Sequence, residues 1–348
     1  MCSDLTRSVP IVITQQEYEK GKPLFDSYTQ YLWVVTSPSE EKVTQALLSS
    51  KANVAVLGTE KYKDSLYSAL KRNAEHSPFG KGKALIMRYG VGYDGIEVDR
   101  CKKEGIFLCI TPGALDTSVA EHTLALMLCL ARNIPYCHGE FLQGKFTRKT
   151  GFELAGKTLG LVGFGKIAQR VAHQAGAGFQ MKVLAFGRTP LEEKASAEGL
   201  TPEKYLSVHG IGGYYSDFPA FARQLDLVSL HLPVTRETSP FLTAERIQQF
   251  KPGTYLINTG RGKLVDEIAL YKALASGHLA GAALDVFTQE PYVPVSPDKD
   301  LRTLGNVVLT PHIASDTKES NRRMQEIILQ NIEAFLRGTY KALTSVIP

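Results

Sequence analysis

The stretch Leu159 to Ala172, LGLVGFGKIAQRVA, limits what this chain can fold into more than any other part of it. An apolar run ends at Gly163, a second glycine stands at Gly165 and the small Ala168 follows three residues later. After it, Val171, Ala172 and Ala175 recur at helical spacing. The pattern reads as strand, tight turn and helix, with the G-x-G-x-x-A spacing of a dinucleotide-binding turn. Gly163 permits the sharp turn, Gly165 lacks the side chain that would hold a pyrophosphate away from the backbone, and Ala168 lets the helix pack close to its strand. The amides that open the helix, at Lys166 and Ile167, would face the phosphates.

One such unit does not account for 348 residues, so two domains are expected. With 43% apolar and 22% charged residues the composition is that of a soluble globular protein. The 40 Lys and Arg against 35 Asp and Glu are scattered, with no run of five or six like charges, which argues against nucleic acid binding. Lys81, Lys83, Arg88, Lys102 and Lys103 form a loosely basic neighbourhood suited to small anions or simply to solvent. The five cysteines, Cys2, Cys101, Cys109, Cys129 and Cys137, are odd in number and contain no C-x-x-C pair. They predict neither a disulfide framework nor a metal site, a buried inert thiol at Cys129, and a reducing cytoplasm. Residues 1–20 lack a secretory pattern, and the most apolar segment, 124–131, is far shorter than the roughly 20 residues of a membrane span.

Short apolar strands at 10–14, 31–36, 54–57, 84–88 and 106–110 alternate with helical segments at 40–49 and 98–104, as in βαβ units with a parallel sheet. A glycine-rich turn, YGVGYD, follows the strand at 84–88, and its amides could hold an anion. Thr111-Pro112-Gly113 marks a domain boundary, and Thr117 or Ser118, with Glu121 as capping-box partner, would start a long apolar helix that carries a structural His122. Beyond the fingerprint, the second strand runs 181–186 and ends at Gly187, 24 residues after Gly163, followed by Arg188 and Thr189. NAD-binding versions of this turn carry an acid at that tip. Here the acid is missing and a cation follows. Residues 202–216, rich in Gly and Tyr, read as a lengthened connection. Further strands at 227–232, 254–258, 281–286 and 307–309 each end in a polar cluster, where the ligand crevice of an open parallel sheet lies.

Three ionisable residues occupy those clusters: Arg261 between two glycines, Glu290 before Pro291 and His312 after Pro311. The glycines would let a ligand carboxylate approach the Arg261 fork, whose paired donors match two oxygens. A histidine at position 312 suits an acid and base role near neutral pH, and Glu290 would keep it protonated. His231, inside the apolar strand 228–232, reads as a core histidine.

The segments RYGVGYD (88–94), TPGALDTSVAEHTLALMLCLARNI (111–134), LGLVGFGKIA (159–168), HLPVT (231–235), INTGRG (257–262), ALDVFTQEP (283–291) and TPHIAS (310–315) together resemble the D-isomer-specific 2-hydroxyacid dehydrogenases over about 85–340. That resemblance implies two doubly wound parallel α/β domains: a Rossmann cofactor domain at 111–314 inserted into a flavodoxin-like substrate domain formed by 1–110 and 315–348. It implies that Arg261 binds the carboxylate of a small 2-keto or 2-hydroxy acid, with Val91 and Gly92 assisting, that His312 donates the proton and that Glu290 holds it. Gly163, Gly165, Lys166, Ile167, Pro233, Thr259, Gly260 and Asp285 would line the cofactor, Asp285 at the nicotinamide carboxamide. With Gly187 in place of the acid, Arg188 and Thr189 predict NADP, with NAD as the second choice. No metal is expected, and a homodimer is. The alternatives are a dinucleotide-sensing corepressor-like protein and a phosphoglycerate dehydrogenase-like enzyme. The 36 residues after His312 leave no room for the regulatory domain that many of the latter carry, and Glu290 stands where formate dehydrogenases of the family have Gln.

Overall fold

In a computed structural model that describes residues 8–347, the chain forms two α/β units: residues up to Leu115 with those from Thr317 onward, and Asp116–Asp316 between them in sequence. The first unit contains strands β1 (Val9–Thr14), β2 (Tyr31–Thr36), β3 (Val54–Leu57), β4 (Ala84–Arg88) and β5 (Ile106–Cys109), all parallel, in the order β2-β1-β3-β4-β5. This is the flavodoxin-like order. Strands β3 and β4 are buried at every position, which is why they read as unbroken apolar runs rather than alternating ones. The helix Lys318–Leu336 starts where the Thr317 hydroxyl accepts from the Ser320 amide at 3.1 Å. It buries Met324, Ile328, Leu329, Ile332 and Phe335, and the Gln325 amide donates to the Tyr89 hydroxyl at 2.9 Å, tying the helix to the tip of β4.

The second unit is a seven-stranded parallel sheet of β6 (Thr158–Val162), β7 (Lys182–Phe186), β8 (Gly213–Tyr215), β9 (Leu227–Leu230), β10 (Thr254–Asn258), β11 (Leu279–Leu284) and β12 (Val307–Leu309). Its order is β12-β11-β10-β9-β6-β7-β8. The order reverses between β6 and β9, a topological switch point of the Rossmann kind, where ligands bind beyond the carboxyl ends of the strands. Apolar side chains of the two sheet faces form separate clusters, one around Phe186, Phe218, Phe221 and Leu256, the other around Leu161, Ala168, Val171 and Ile257.

Four sequence expectations need correction. The stretch 202–216 is more than a lengthened connection: it holds a helix, Pro202–Val208, and the edge strand β8, whose Tyr214 and Tyr215 pack into opposite clusters as strand alternation requires. The long helix begins at Asp116, so Ser118 is a buried first-turn residue and not the cap. Strand β9 ends at Leu230, which leaves His231 just outside it. Cys129 is half-buried rather than buried, whereas Cys101 and Cys109 are buried and their thiols are pushed up to about 12 by desolvation. Cys2 lies outside the described residues. Among the described residues no helix is long and apolar enough to cross a membrane, and no group of three His, Cys, Asp or Glu could hold a metal ion.

Candidate active site

The turn after β6 is built from its two glycines for different reasons. Gly163 adopts φ +86°, and a Cβ there would stand 2.6 Å from the His231 carbonyl oxygen, so only glycine fits between the ends of β6 and β9. At Gly165 a Cβ would meet nothing within 4 Å, which leaves open space at the mouth of the turn. Among the described residues no side chain caps the helix Lys166–His173 that follows, and Ala168 is fully buried against the sheet. Lys166 is exposed and Ile167 half-buried at the start of that helix. An open backbone cradle in front of an uncapped helix fits the pyrophosphate of a dinucleotide.

At the other strand ends, Arg261 follows β10, Asp285 follows β11, and His312 follows β12. His312 Nδ1 lies 2.6 Å from Glu290 Oε2, and Glu290 Oε1 accepts from the Phe287 amide at 2.9 Å. Donation from Nδ1 fixes the imidazole tautomer, and among the described residues Nε2 has no hydrogen-bond partner. Burial by itself would raise the Glu290 carboxyl, but the hydrogen bond and charge of His312, the Phe287 amide and the charge of Arg261 outweigh it and hold it below the usual carboxylate range. The carboxylate therefore stays ionised beside the ring.

Asp285 organises the histidine loop. His312 has a left-handed backbone, φ 54°, unusual for a residue with a side chain. Its amide donates to the Asp285 carbonyl at 2.8 Å, the next two amides, Ile313 and Ala314, donate to the Asp285 carboxylate at 2.9 Å each, and the Thr310 hydroxyl does so at 2.6 Å. His122 Nε2 approaches Thr310 Oγ1 at 3.2 Å and Asp285 Oδ1 at 3.5 Å, so that histidine is a support for the aspartate. Asp285 is fully buried; desolvation opposes its charge, yet these donors pull its pKa below the ordinary value. A carboxylate has about four acceptor positions, and these contacts leave it room for one more partner at most on Oδ2.

The glycines beside Arg261 do not open the residue to a ligand as the sequence suggested. A Cβ on Gly262 would sit 1.9 Å from the Phe287 carbonyl carbon, and one on Gly260 would sit 3.2 Å from the Leu230 carbonyl oxygen. Gly262 thus lets the Phe287 loop, which leads to Glu290, lie directly on the Arg261 loop. Asn258 closes this turn, donating from Nδ2 to the Arg261 carbonyl at 2.9 Å and accepting from the Gly260 amide at 3.0 Å. Thr259 is buried, its hydroxyl 2.9 Å from that of Thr123. His231, beside the Gly163 turn, shares a 2.9 Å hydrogen bond with Ser229, and desolvation lowers its pKa to about 4.

At the tip of β7, Gly187 is buried and a Cβ there would stand 2.1 Å from the Tyr214 hydroxyl oxygen, which has no hydrogen-bond partner among the described residues. Arg188 and Thr189 are exposed. Arg188 neither points freely into solvent nor lacks an acid nearby: its Nη1 donates to the Glu237 carboxylate. Glu237 lies on the loop after β9, which also carries Pro233. In the first unit, Val91 and Gly92 follow β4, and the Gly92 carbonyl accepts from Nε of the buried Arg88 at 3.0 Å, which holds that turn in shape.

Residues 124–314 match the family model described as D-isomer specific 2-hydroxyacid dehydrogenase, NAD binding domain. The chain belongs to the D-isomer specific 2-hydroxyacid dehydrogenases. It is 35% identical to a glyoxylate reductase of Thermococcus litoralis over 94% of either chain. Two solved structures share its fold: an NADPH-dependent glyoxylate/hydroxypyruvate reductase from Sinorhizobium meliloti in complex with NADP and malonate, with TM-score 0.77 and 26% identity over 94% of each chain, and a D-lactate dehydrogenase from Aquifex aeolicus with NAD and lactic acid, with TM-score 0.78 and 29% identity over 97% of this chain and 99% of that one.

Within this dehydrogenase fold the sequence located Arg261, Glu290, Asp285 and His312 at strand ends and missed three neighbours. Glu237 lies 49 positions after Arg188, and nothing local to either residue signals their pairing. Tyr214 belongs to a stretch that carried no strand signal of its own. The bond from His122 to Thr310 joins a helix to a strand end 188 positions away.

Proposed function

We propose that this protein reduces a small 2-keto acid of the glyoxylate or hydroxypyruvate type to the D-2-hydroxy acid, with NADPH used in preference to NADH. The observation that carries this reading is the 2.6 Å pair of His312 and Glu290, set at the carboxyl edge of the sheet that also bears the glycine cradle. Gly163, Gly165, Lys166 and Ile167 would hold the pyrophosphate, Pro233, Thr259 and Gly260 would line the nicotinamide side, and Asp285 would offer its remaining acceptor position to the carboxamide. A nicotinamide held there supplies hydride chemistry at the substrate C2.

The chain's own groups do the rest. Arg261 binds the substrate carboxylate with its paired donors and polarises the neighbouring carbonyl. His312 delivers a proton from Nε2 to the carbonyl oxygen as C2 is reduced, and Glu290 stabilises the imidazolium before the transfer. Val91 and Gly92 are the proposed substrate-binding residues of the first unit. Arg188 and Thr189 would take the 2′-phosphate, with the acid absent from position 187. The glyoxylate reductase and glyoxylate/hydroxypyruvate reductase relatives favour this substrate class. The test is a panel of 2-keto acids of graded size and charge with each reduced cofactor. Glyoxylate or hydroxypyruvate with NADPH should give the highest kcat/KM, and His312→Asn should lose at least about 100-fold in kcat, the scale of general acid catalysis.

We also infer a homodimer. The helix Ile134–Leu142 buries none of its residues, and Ile134, Tyr136, Phe141, Leu142 and the nearby Phe146 are all exposed. Exposed apolar side chains at this density suit association with a second copy. Sedimentation should give twice the chain mass, and Phe141→Asp with Leu142→Asp should give monomers.

A further inference from the structure

The tips of β7 and β9 flank the tip of β6, because the strand order is β9-β6-β7. Arg188 stands on one of these tips and Glu237 on the loop beyond the other, so their ion pair spans the exit of the fingerprint strand, on the side where the adenosine half of a dinucleotide would lie. Glu237 is held in place by its loop. The Thr238 hydroxyl is buried and donates to the Pro233 carbonyl at 2.7 Å, the Thr235 amide donates to that hydroxyl at 2.7 Å, and the Glu237 amide donates to the Thr235 hydroxyl at 3.3 Å. An acid at position 187 would require the Tyr214 hydroxyl, 2.1 Å from the place of its Cβ, to move aside. The carboxylate paired with Arg188 comes from the loop after β9.

We propose that Glu237 is a specificity-determining residue for the cofactor: it occupies the Arg188 guanidinium and must give it up to the 2′-phosphate, so that it sets how strongly phosphorylated and unphosphorylated dinucleotides are distinguished. This rests on Arg188 being the phosphate partner. The side chains of Arg188 and Glu237 are 74% and 69% exposed, so their bond is weak enough to exchange. An incoming ribose phosphate is a dianion with three acceptor oxygens and outcompetes a single carboxylate for the guanidinium fork. With the phosphate on Arg188, the Glu237 carboxylate is left a few ångströms from a like charge and opposes it. A cofactor without the phosphate leaves the pair intact.

The experiment measures binding, without turnover, by calorimetric titration of adenosine 2′,5′-bisphosphate and adenosine 5′-monophosphate into the full chain. For Glu237→Gln, the ratio of the two dissociation constants should move about three- to tenfold toward the bisphosphate at low salt, and the gain should shrink as salt is raised, since exposed charges are screened. Arg188→Ala should move the ratio the other way, and adding Glu237→Gln to it should recover only part of the loss. An unchanged ratio in Glu237→Gln, with Arg188→Ala still selective against the bisphosphate, overturns the role of Glu237 alone. An unchanged ratio in Arg188→Ala overturns the assignment of the phosphate to Arg188 and the proposal with it. Both substitutions are at exposed positions, and thermal unfolding checks that each variant is folded.

Discussion

Replacing Asp285 by Asn tests whether this residue builds the histidine loop. The side chains are nearly isosteric, so packing is preserved and only the acceptors change. An asparagine can keep its oxygen toward Thr310 and Ile313, but its NH2 group then faces the Ala314 amide, a donor against a donor at a residue only 4% exposed. One buried amide loses its acceptor, which costs about 1–3 kcal/mol. The remaining bonds lose their ionic character, and together the cost is about 2–4 kcal/mol. In a unit of about 200 residues this corresponds to a fall in Tm of roughly 4–16 °C. The released loop carries His312 in a left-handed conformation, and a shift of an ångström at a proton donor costs on the order of 100-fold in kcat. Calorimetry and steady-state kinetics on the same sample are the assays. A Tm within a degree of the parent, or an unchanged kcat, would refute the claim that Asp285 organises the site.

Gly163→Ala should unfold at lower denaturant and bind dinucleotide at least about tenfold more weakly, because φ is +86° and the new Cβ meets the His231 carbonyl; equal binding, measured by titration, would show that the turn relaxes freely. His231 gives a pH dependence whose sign follows from its lowered pKa of about 4 against an ordinary 6.5. Between those values the unfolded chain binds the extra proton, so stability is complete above pH 6.5 and falls by up to about 3 kcal/mol as the pH drops to 4. Urea unfolding across that window should show the slope, and His231→Asn should flatten it. Gly187→Asp should destabilise the protein without improving NADH use, since Tyr214 blocks the side chain, whereas Gly187→Asp with Tyr214→Ala should raise kcat/KM for NADH; improvement in the single variant would contradict the steric argument.

The parts of the site that could be read from sequence are those where a local pattern has a single physical cause. Gly163, Gly165 and Ala168 are spaced by the strand, turn and helix they join, and buried parallel strands such as β3 and β4 announce themselves as apolar runs between breakers. Arg261, Asp285 and His312 were legible because each directly follows such a run. Glycines were harder to interpret than to find. Gly262 reads as room for a ligand but is room for the Phe287 backbone, and Gly187 reads as a missing acid but is also space taken by Tyr214. Both meanings depend on partners 25 and 27 positions away. The Arg188 and Glu237 pair was invisible for the same reason, because parallel strand order brings together loops that the sequence separates. Edge strand β8 was missed because three residues are too few to show a period of two.

The most direct test of the central claim is product analysis after glyoxylate-type reduction with a prochiral 2-keto acid, hydroxypyruvate, and NADPH, in the parent chain and in His312→Asn. Cofactor oxidation should keep step with the keto acid consumed, chiral chromatography should find a D-2-hydroxy acid as the sole enantiomer, and the variant should lose turnover while retaining dinucleotide binding. Formation of the L enantiomer, or turnover that survives the loss of His312, would contradict it.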